Sequence, residues 1–184
     1  MKSRRLSMIA IVTMLVTVLA GRAASAQDKY ALKVPGGLAF AEFKGYEDWQ
    51  VVSVSFDNGV LAVITANPVM IAAYRAGVPA NGKPFPDGSK MAKVHWKPKQ
   101  MENIPGATVP GTLLNVDLMV RDSKRFADSG NWGWAVFEYD TASATFKPGT
   151  TAGKPPQGND AKCGFACHTL AQARDYVFTD YGAR

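Results

Sequence analysis

The sequence has few of the residues that build disulfide scaffolds or zinc sites, with only two cysteines and two histidines in 184 residues. Two cysteines exclude a small domain held by many disulfides. It also lacks a basic excess outside its first 26 residues. That segment holds four of the 21 basic residues and no acidic one, so the other 17 bases face 15 acids and leave a net charge of +2. Residues 27–184 therefore have no basic excess that would suggest a nucleic-acid partner.

The chain has no long apolar run beyond its amino terminus. There, Lys2, Arg4 and Arg5 precede 13 uncharged residues at 8–20, and Ala-Ser-Ala follows at 24–26. This pattern predicts a secretory signal peptide over 1–26, cleaved after Ala26. A membrane anchor is the alternative, but a crossing helix needs about 20 apolar residues. We therefore expect one mature domain, 27–184, in the periplasm and with no membrane contact after cleavage.

Alternating β-branched and aromatic segments predict strands at residues 49–56, 60–65, 91–96, 113–120 and 132–139. Asp57-Asn58-Gly59 predicts a hairpin turn between the first two strands. Asn67-Pro68 predicts the start of a helix that ends at Gly77. One short helical turn is expected at 122–126, a short helix at 163–173, and an irregular segment at 147–160. Successive strands with few helices favour an α+β fold, a mostly antiparallel sheet with helices packed on one side.

The most specific motif lies near the carboxyl end, where residues 162–168 read KCGFACH. Two cysteines followed at once by histidine are typical of covalent c-type haem attachment. The thiols of Cys163 and Cys167 would bond the porphyrin vinyl groups, and His168 would bind the iron. Its other ring nitrogen is expected to make a hydrogen bond that tunes its basicity. An exported protein suits this cofactor, because c-type haem is attached in the periplasm.

The spacing of the two cysteines is one residue longer than the usual C-x-x-C-H. Both thiols would share a face if the segment is helical, so both can bond the haem. Alternatively only Cys167 bonds and Cys163 stays free. A disulfide between them is a further alternative in an oxidising compartment. A zinc site is disfavoured, because only one other histidine exists.

The sixth iron ligand decides which class of haem protein this is. The 16 residues after His168 contain no methionine or histidine, which excludes a small electron-transfer cytochrome with a downstream methionine ligand. An upstream methionine can ligate in principle, but such residues are more typical of an apolar core. They are Met70, Met91, Met101 and Met119. His95 is expected to be a partly exposed strand residue. We therefore expect a five-coordinate iron that binds small ligands.

Five segments together resemble the cytochrome P-460 family and its relative, the beta-type cytochrome c-prime. In chain order they are YEDW at 46–49, FPDG at 85–88 with MAK at 91–93, DSKRF at 122–126, GNW at 130–132, and the cysteine–histidine motif with DYVFT at 175–179. Their order and spacing are specific together, although none is specific alone. The resemblance implies a mostly antiparallel sheet, one haem held near the carboxyl end, and a homodimer.

The resemblance also implies two functions. In cytochrome P-460 a strand lysine is bonded to the haem and the enzyme oxidises hydroxylamine; Lys93 occupies that lysine's place. The family enzymes use a carboxylate as proton acceptor, commonly just before the first cysteine, where Asp160 is the nearest acid. Strand alternation predicts Lys93 on one face with Met91 and His95.

The c-prime relatives instead bind nitric oxide or carbon monoxide beneath phenylalanines. Candidates for that cap are Phe56, Phe85 and Phe137.

Overall fold

The computed structural model describes residues 27–162 and 164–184, and within them it has an α+β fold built on six antiparallel strands in the order β1-β2-β3-β4-β5-β6. The strands are β1 (Gln50–Asp57), β2 (Val60–Ala66), β3 (Lys90–Gln100), β4 (Thr108–Arg121), β5 (Trp132–Asp140) and β6 (Thr145–Pro148). The helices are α1 (Pro68–Arg75) and α2 (Phe165–His168). The predicted antiparallel sheet is thus confirmed. The signal peptide predicted over 1–26 and the Cys163 thiol lie outside the described residues.

Local sequence signals explain the first hairpin and the helix that follows it. Asn58 and Gly59 form the β1–β2 turn with positive φ angles of 48° and 75°, as a two-residue hairpin loop requires. The side chain of Asn67 accepts a hydrogen bond of 3.1 Å from the Met70 amide, and Pro68 is the first residue of α1. Gly77 follows the helix at φ +89°. The predicted hairpin turn, helix start and stop at Gly77 are thus confirmed.

The sheet is covered on both faces. The α1 residues Met70 and Ile71 pack with Met91, Met119 and other residues of one face, and the partly buried Phe165 of α2 joins the same cluster. The opposite face packs against Phe40 and Phe43, which lie in a short 3-10 turn. This explains why the first six residues of β5 are all buried instead of alternating. The α-helices pack on one face, as expected, whereas the packing of Phe40 and Phe43 on the opposite face was not predicted.

Two local expectations differ from the structure, at β6 and after α2, and a third is confirmed. The short edge strand β6 was missed, because Pro148 and Gly149 punctuate its sequence. The single helical turn expected at 122–126 is present, closed by a hydrogen bond of 3.0 Å from the Phe126 amide to the Asp122 carbonyl, and a 3-10 turn follows at Ala127–Ser129. After α2 the chain continues as a 3-10 helix over Thr169–Arg174. No helix in the described part of the chain is long and apolar enough to cross a membrane.

Candidate haem-binding site

A largely apolar cavity of about 180 Å³ lies between the sheet and the carboxyl-terminal segment. The sheet lines it with Ile64, Met91, Lys93, Asp117, Met119 and Trp134. The carboxyl-terminal segment lines it with Ala161, Cys167, His168, Val177, Phe178 and Thr179. A polar cleft of about 550 Å³ adjoins it and shares Lys93, Asp117 and Val136. Together the two spaces fall within the range of about 300–1,000 Å³ typical of ligand sites.

His168 is the last residue of α2, and its half-buried ring is packed between aromatic side chains. The ring centroid lies 4.4 Å from that of Trp134 and 4.9 Å from that of Phe178. Its Nδ1 atom is 2.5 Å from the Tyr176 carbonyl oxygen. Because a carbonyl only accepts, Nδ1 carries the proton and the lone pair lies on Nε2, the atom that would bind iron. The hydrogen bond expected on the other ring nitrogen is therefore present.

Cys167 lines the same cavity one residue before His168. Its thiol is free and exposed, and its Sγ lies 3.6 Å from the Lys162 carbonyl oxygen. The disulfide alternative is thus not formed in this structure. A free thiol directly before the histidine is in position for a thioether to a group bound in the cavity. Whether Cys163 contributes a second thioether stays a prediction, since that residue lies outside the described chain.

Lys93 is half-buried on β3 and lines both the cavity and the polar cleft. Met91 shares the cavity with it, and His95 shares the cleft. Ala92 belongs to the core on the opposite face, with Val94 packed against it. The predicted alternation along this strand is confirmed, and it brings the lysine amine toward any group bound in the cavity.

Asp117 on β4 is the carboxylate that faces this cavity. It is the cross-strand partner of Lys93, and its side chain is only 13 % exposed. Burial raises the pKa of Asp117 to about 6, against a hydrogen bond from Asn115 and the charges of Lys93 and Lys162, which lower it. Sequence reasoning missed this residue. The available signal was a polar pair, Asn115 and Asp117, alternating with apolar residues on one strand.

His95 and Asp117 are joined through the Asn115 amide. Asn115 Nδ2 donates to Asp117 Oδ1 at 2.5 Å and lies 3.0 Å from His95 Nδ1. Since Nδ2 is a donor, His95 Nδ1 accepts and its proton is on Nε2. Burial, followed by the charge of Lys93, lowers the pKa of His95 to about 4. The expected partial exposure of His95 was wrong, because the residue is 8 % exposed and neutral near pH 7.

Asp160, the proton acceptor expected from the family pattern, lies in an exposed loop and is not among the cavity residues. Its Oδ2 accepts hydrogen bonds from the amides of Thr151 at 2.7 Å and Ala152 at 2.8 Å. Although partial burial acts to raise it, these amides hold the pKa of Asp160 below its usual value. The carboxylate therefore stabilises a loop, and this geometry does not support its catalytic role.

None of the three phenylalanines expected to cap a ligand lines the cavity. Phe56 is 63 % exposed on the edge strand, Phe85 packs on Tyr74, and Phe137 lies in the core of the opposite face. The phenylalanine that does line it is Phe178. Of the methionines, Met91 and Met119 line the cavity, Met70 is in the core and Met101 is exposed.

The residues present fit a haem. The apolar walls suit a flat porphyrin, His168 directs a lone pair on Nε2, and Cys167 offers a thiol beside it. The Trp134 indole nitrogen is buried with no hydrogen-bond partner among the described residues, so this wall has an unused donor. Lys93 and Asp117 are paired across β3 and β4 and both line the cavity on the sheet side. This combination can bind an iron centre and take up a proton beside it.

A comparison with protein-family models gives a match to Cytochrome P-460 over residues 43–179 of the 184. Among curated proteins, none matches the chain. The matched region contains β1 to β6, α2 and every cavity residue described above. It also confirms the family suggested by the ordered sequence motifs. The chain therefore belongs to the cytochrome P-460 family, whose members are haem c proteins that act on nitrogen compounds.

Proposed function

We propose that this protein is an exported, mono-haem c-type cytochrome that oxidises hydroxylamine or nitric oxide. The observation that carries the proposal is the pairing of Lys93 with the buried Asp117 at the wall of the His168 cavity. A protein that only stores or senses a gas needs an apolar pocket, not a carboxylate beside it. The family match supports the haem and the class of substrate.

A bound haem would supply the redox chemistry, taking up the electrons that the nitrogen compound loses. His168 would hold the haem iron through Nε2, while the Tyr176 carbonyl fixes the ring. Asp117 is ionised above pH about 6 and would accept a proton from the substrate as it is oxidised. Asn115 holds that carboxylate in place. The electrons would leave to a separate redox protein.

Lys93 is proposed as the residue bonded to the haem edge. Lys93 lines the apolar cavity, so its amine is within the space where the haem edge would lie. The resemblance to the family motif around residues 91–93 supports this choice, and so does the position of Lys93 in the cavity wall. Covalent attachment through Cys167, with or without Cys163, completes the proposed site.

A second function is favoured by the walls of the cavity. Ile64, Met91, Met119 and Phe178 give it an apolar lining that suits nitric oxide or carbon monoxide without chemistry. One experiment separates the two functions. Purified holoprotein is mixed with hydroxylamine and an artificial electron acceptor, and turnover is compared with nitric oxide affinity. Steady turnover supports the enzyme, whereas tight nitric oxide binding without turnover supports the gas-binding cytochrome.

Export and assembly complete the proposal. The signal pattern supports cleavage after Ala26, so amino-terminal sequencing of the periplasmic protein should begin at Gln27. A chain that begins at Met1 would contradict it. The family resemblance supports a homodimer, which light scattering would detect as twice the mass of the mature chain. A monomer at micromolar concentration would contradict that part.

A further inference from the structure

The Tyr176 carbonyl that accepts the hydrogen bond from His168 Nδ1 belongs to an unusual stretch of backbone. Asp175 and Tyr176 are consecutive residues with φ angles of 52° and 62°, both in the left-handed region. Aspartate is tolerated there, but a bulky aromatic residue seldom adopts this conformation. Such a backbone persists only where its surroundings fix it. The contacts that fix it therefore also fix the hydrogen bond to His168.

Asp175 ties this backbone to the main body of the fold. Its Oδ1 accepts a hydrogen bond from Arg121 Nη1 at 2.9 Å, and its Oδ2 accepts one from the Phe85 amide at 2.8 Å. Arg121 ends β4, is 8 % exposed, and lies 3.8 Å from Asp87 Oδ1 through its Nε. Both carboxylate oxygens are thus held by groups that are anchored in the sheet and in the loop before β3.

The Tyr176 residue itself is enclosed by further contacts. Its amide donates to the Ala171 carbonyl at 3.0 Å, and its ring stacks on Phe165 with centroids 6.0 Å apart. Gly130 lies against the same ring, so closely that a Cβ atom there would approach it to 2.4 Å. The peptide after Asp175 is therefore restrained by its side-chain anchor, by the preceding helix and by ring packing.

We propose that Asp175, held by Arg121 and the Phe85 amide, is a positioning residue that aims the Tyr176 carbonyl at His168 and so sets the donor strength of the iron ligand. A strong hydrogen bond from Nδ1 makes the imidazole more basic. A more basic axial ligand binds iron more firmly and lowers the reduction potential. The inference rests on the proposed ligation of iron by His168. Asp175 itself is not among the cavity residues.

The test compares Asp175→Ala and Asp175→Asn with wild-type holoprotein, with Asp180→Asn as the matched control. Asp180 is another carboxyl-terminal acid, but its side chain is exposed and pairs with Arg174. Three quantities are measured: haem retained per chain, the iron–histidine stretching frequency of the ferrous protein by resonance Raman, and the reduction potential. Asp175→Ala should keep its haem, lower the stretching frequency and raise the potential. Asp180→Asn should match wild type in all three.

Asp175→Asn retains an acceptor for the Phe85 amide but loses the charge that pairs with Arg121, so it should show a smaller shift in the same direction. It decides the question if Asp175→Ala does not fold. A folded, haem-loaded variant with wild-type frequency and potential would overturn the inference. A separate measurement tests the iron ligation on which the inference rests. If His168→Gly binds no added imidazole at the iron, the proposed ligation by His168 is wrong, and Asp175 loses its role with it.

Discussion

Lys93 on β3 and Asp117 on β4 are direct cross-strand partners that face the same cavity. The lysine proposed as a covalent anchor and the carboxylate proposed as a proton acceptor thus occupy paired positions, and Ile64 and Val136 hold the paired positions on the neighbouring strands. The Asp117 side chain is only 13 % exposed, and this burial raises its pKa. Substitutions of Lys93 and of Asp117 should therefore change different measurable properties, the bond to the haem and the uptake of a proton.

Replacing Asp117 by asparagine should remove the proton acceptor. Hydroxylamine turnover is expected to fall by about 10²–10⁴-fold, the usual contribution of a positioned acid or base. Wild-type turnover should rise as pH increases through about 6, the pKa of Asp117, and this limb should vanish in Asp117→Asn. Nitric oxide affinity should change little. The parallel variant Asp160→Asn tests the acceptor expected from the family pattern. If Asp160→Asn loses hydroxylamine turnover while Asp117→Asn keeps it, Asp117 is not the proton acceptor.

Asp117→Asn should also stabilise the protein above pH 6. The pKa of Asp117 is raised from 3.8 to about 6 by folding, so the folded state binds its proton more tightly than the unfolded chain. The stability contributed by that proton is full below pH 3.8 and lost as pH rises through 6. The variant should gain up to about 3 kcal/mol in free energy of unfolding at pH 7.5. Urea unfolding at pH 7.5 and 4.5 checks this, and an equal gain at both values would refute it.

His95→Gln should have the opposite pH dependence. Folding lowers the pKa of His95 from 6.5 to about 4, so the unfolded chain binds the proton more tightly. Wild-type stability from this group is full above pH 6.5 and is lost as pH falls to 4. The free energy of unfolding of the variant should therefore rise relative to that of wild type by up to about 3 kcal/mol as pH falls from 6.5 to 4. Its resting haem spectrum should be almost unchanged, and a large spectral change would mean that His95 binds the iron.

Lys93→Ala tests the proposed bond to the haem edge. Wild type should show a Soret band well to the red of an ordinary c-type cytochrome, and the variant should lose that shift and its hydroxylamine turnover. Haem content and nitric oxide binding should persist, because Cys167 and His168 are unchanged. Lys97→Ala, an exposed lysine on the same strand, is the control. Mass spectrometry that finds wild-type Lys93 unmodified would remove the bond and favour the gas-binding function.

Cys167→Ser tests the thioether attachment. Wild-type haem should remain with the chain on denaturing gels, because thioether bonds survive acid and detergent. Cys167→Ser should lose most of this haem, whereas Cys163→Ser should lose less. His168→Ala should abolish the histidine-ligated spectrum and reduce the yield of mature protein. Wild-type protein that releases its haem under denaturing conditions would contradict covalent attachment.

Much of the site could be predicted because its signals are local. Two cysteines followed at once by His168 predict haem attachment from a few adjacent residues, and Asn67-Pro68 fixes a helix start through a cap and a preset φ angle. Strand alternation places Lys93 on the same face as His95 because successive side chains point to opposite faces. These features depend on neighbours within a few residues, so the sequence alone determines them.

Tertiary structure decided what depends on distant residues. Asp117 becomes the buried carboxylate of the cavity only through the register between β3 and β4, and local sequence does not specify which strand pairs with which. Asp160 is near Cys163 in sequence, yet loop amides hold it away from the cavity. The Tyr176 carbonyl reaches His168 because Arg121 and Phe85 anchor Asp175 across the fold. Burial and long-range hydrogen bonds therefore set the charges and positions that decide the chemistry of this site, and both arise only after the sheet has formed.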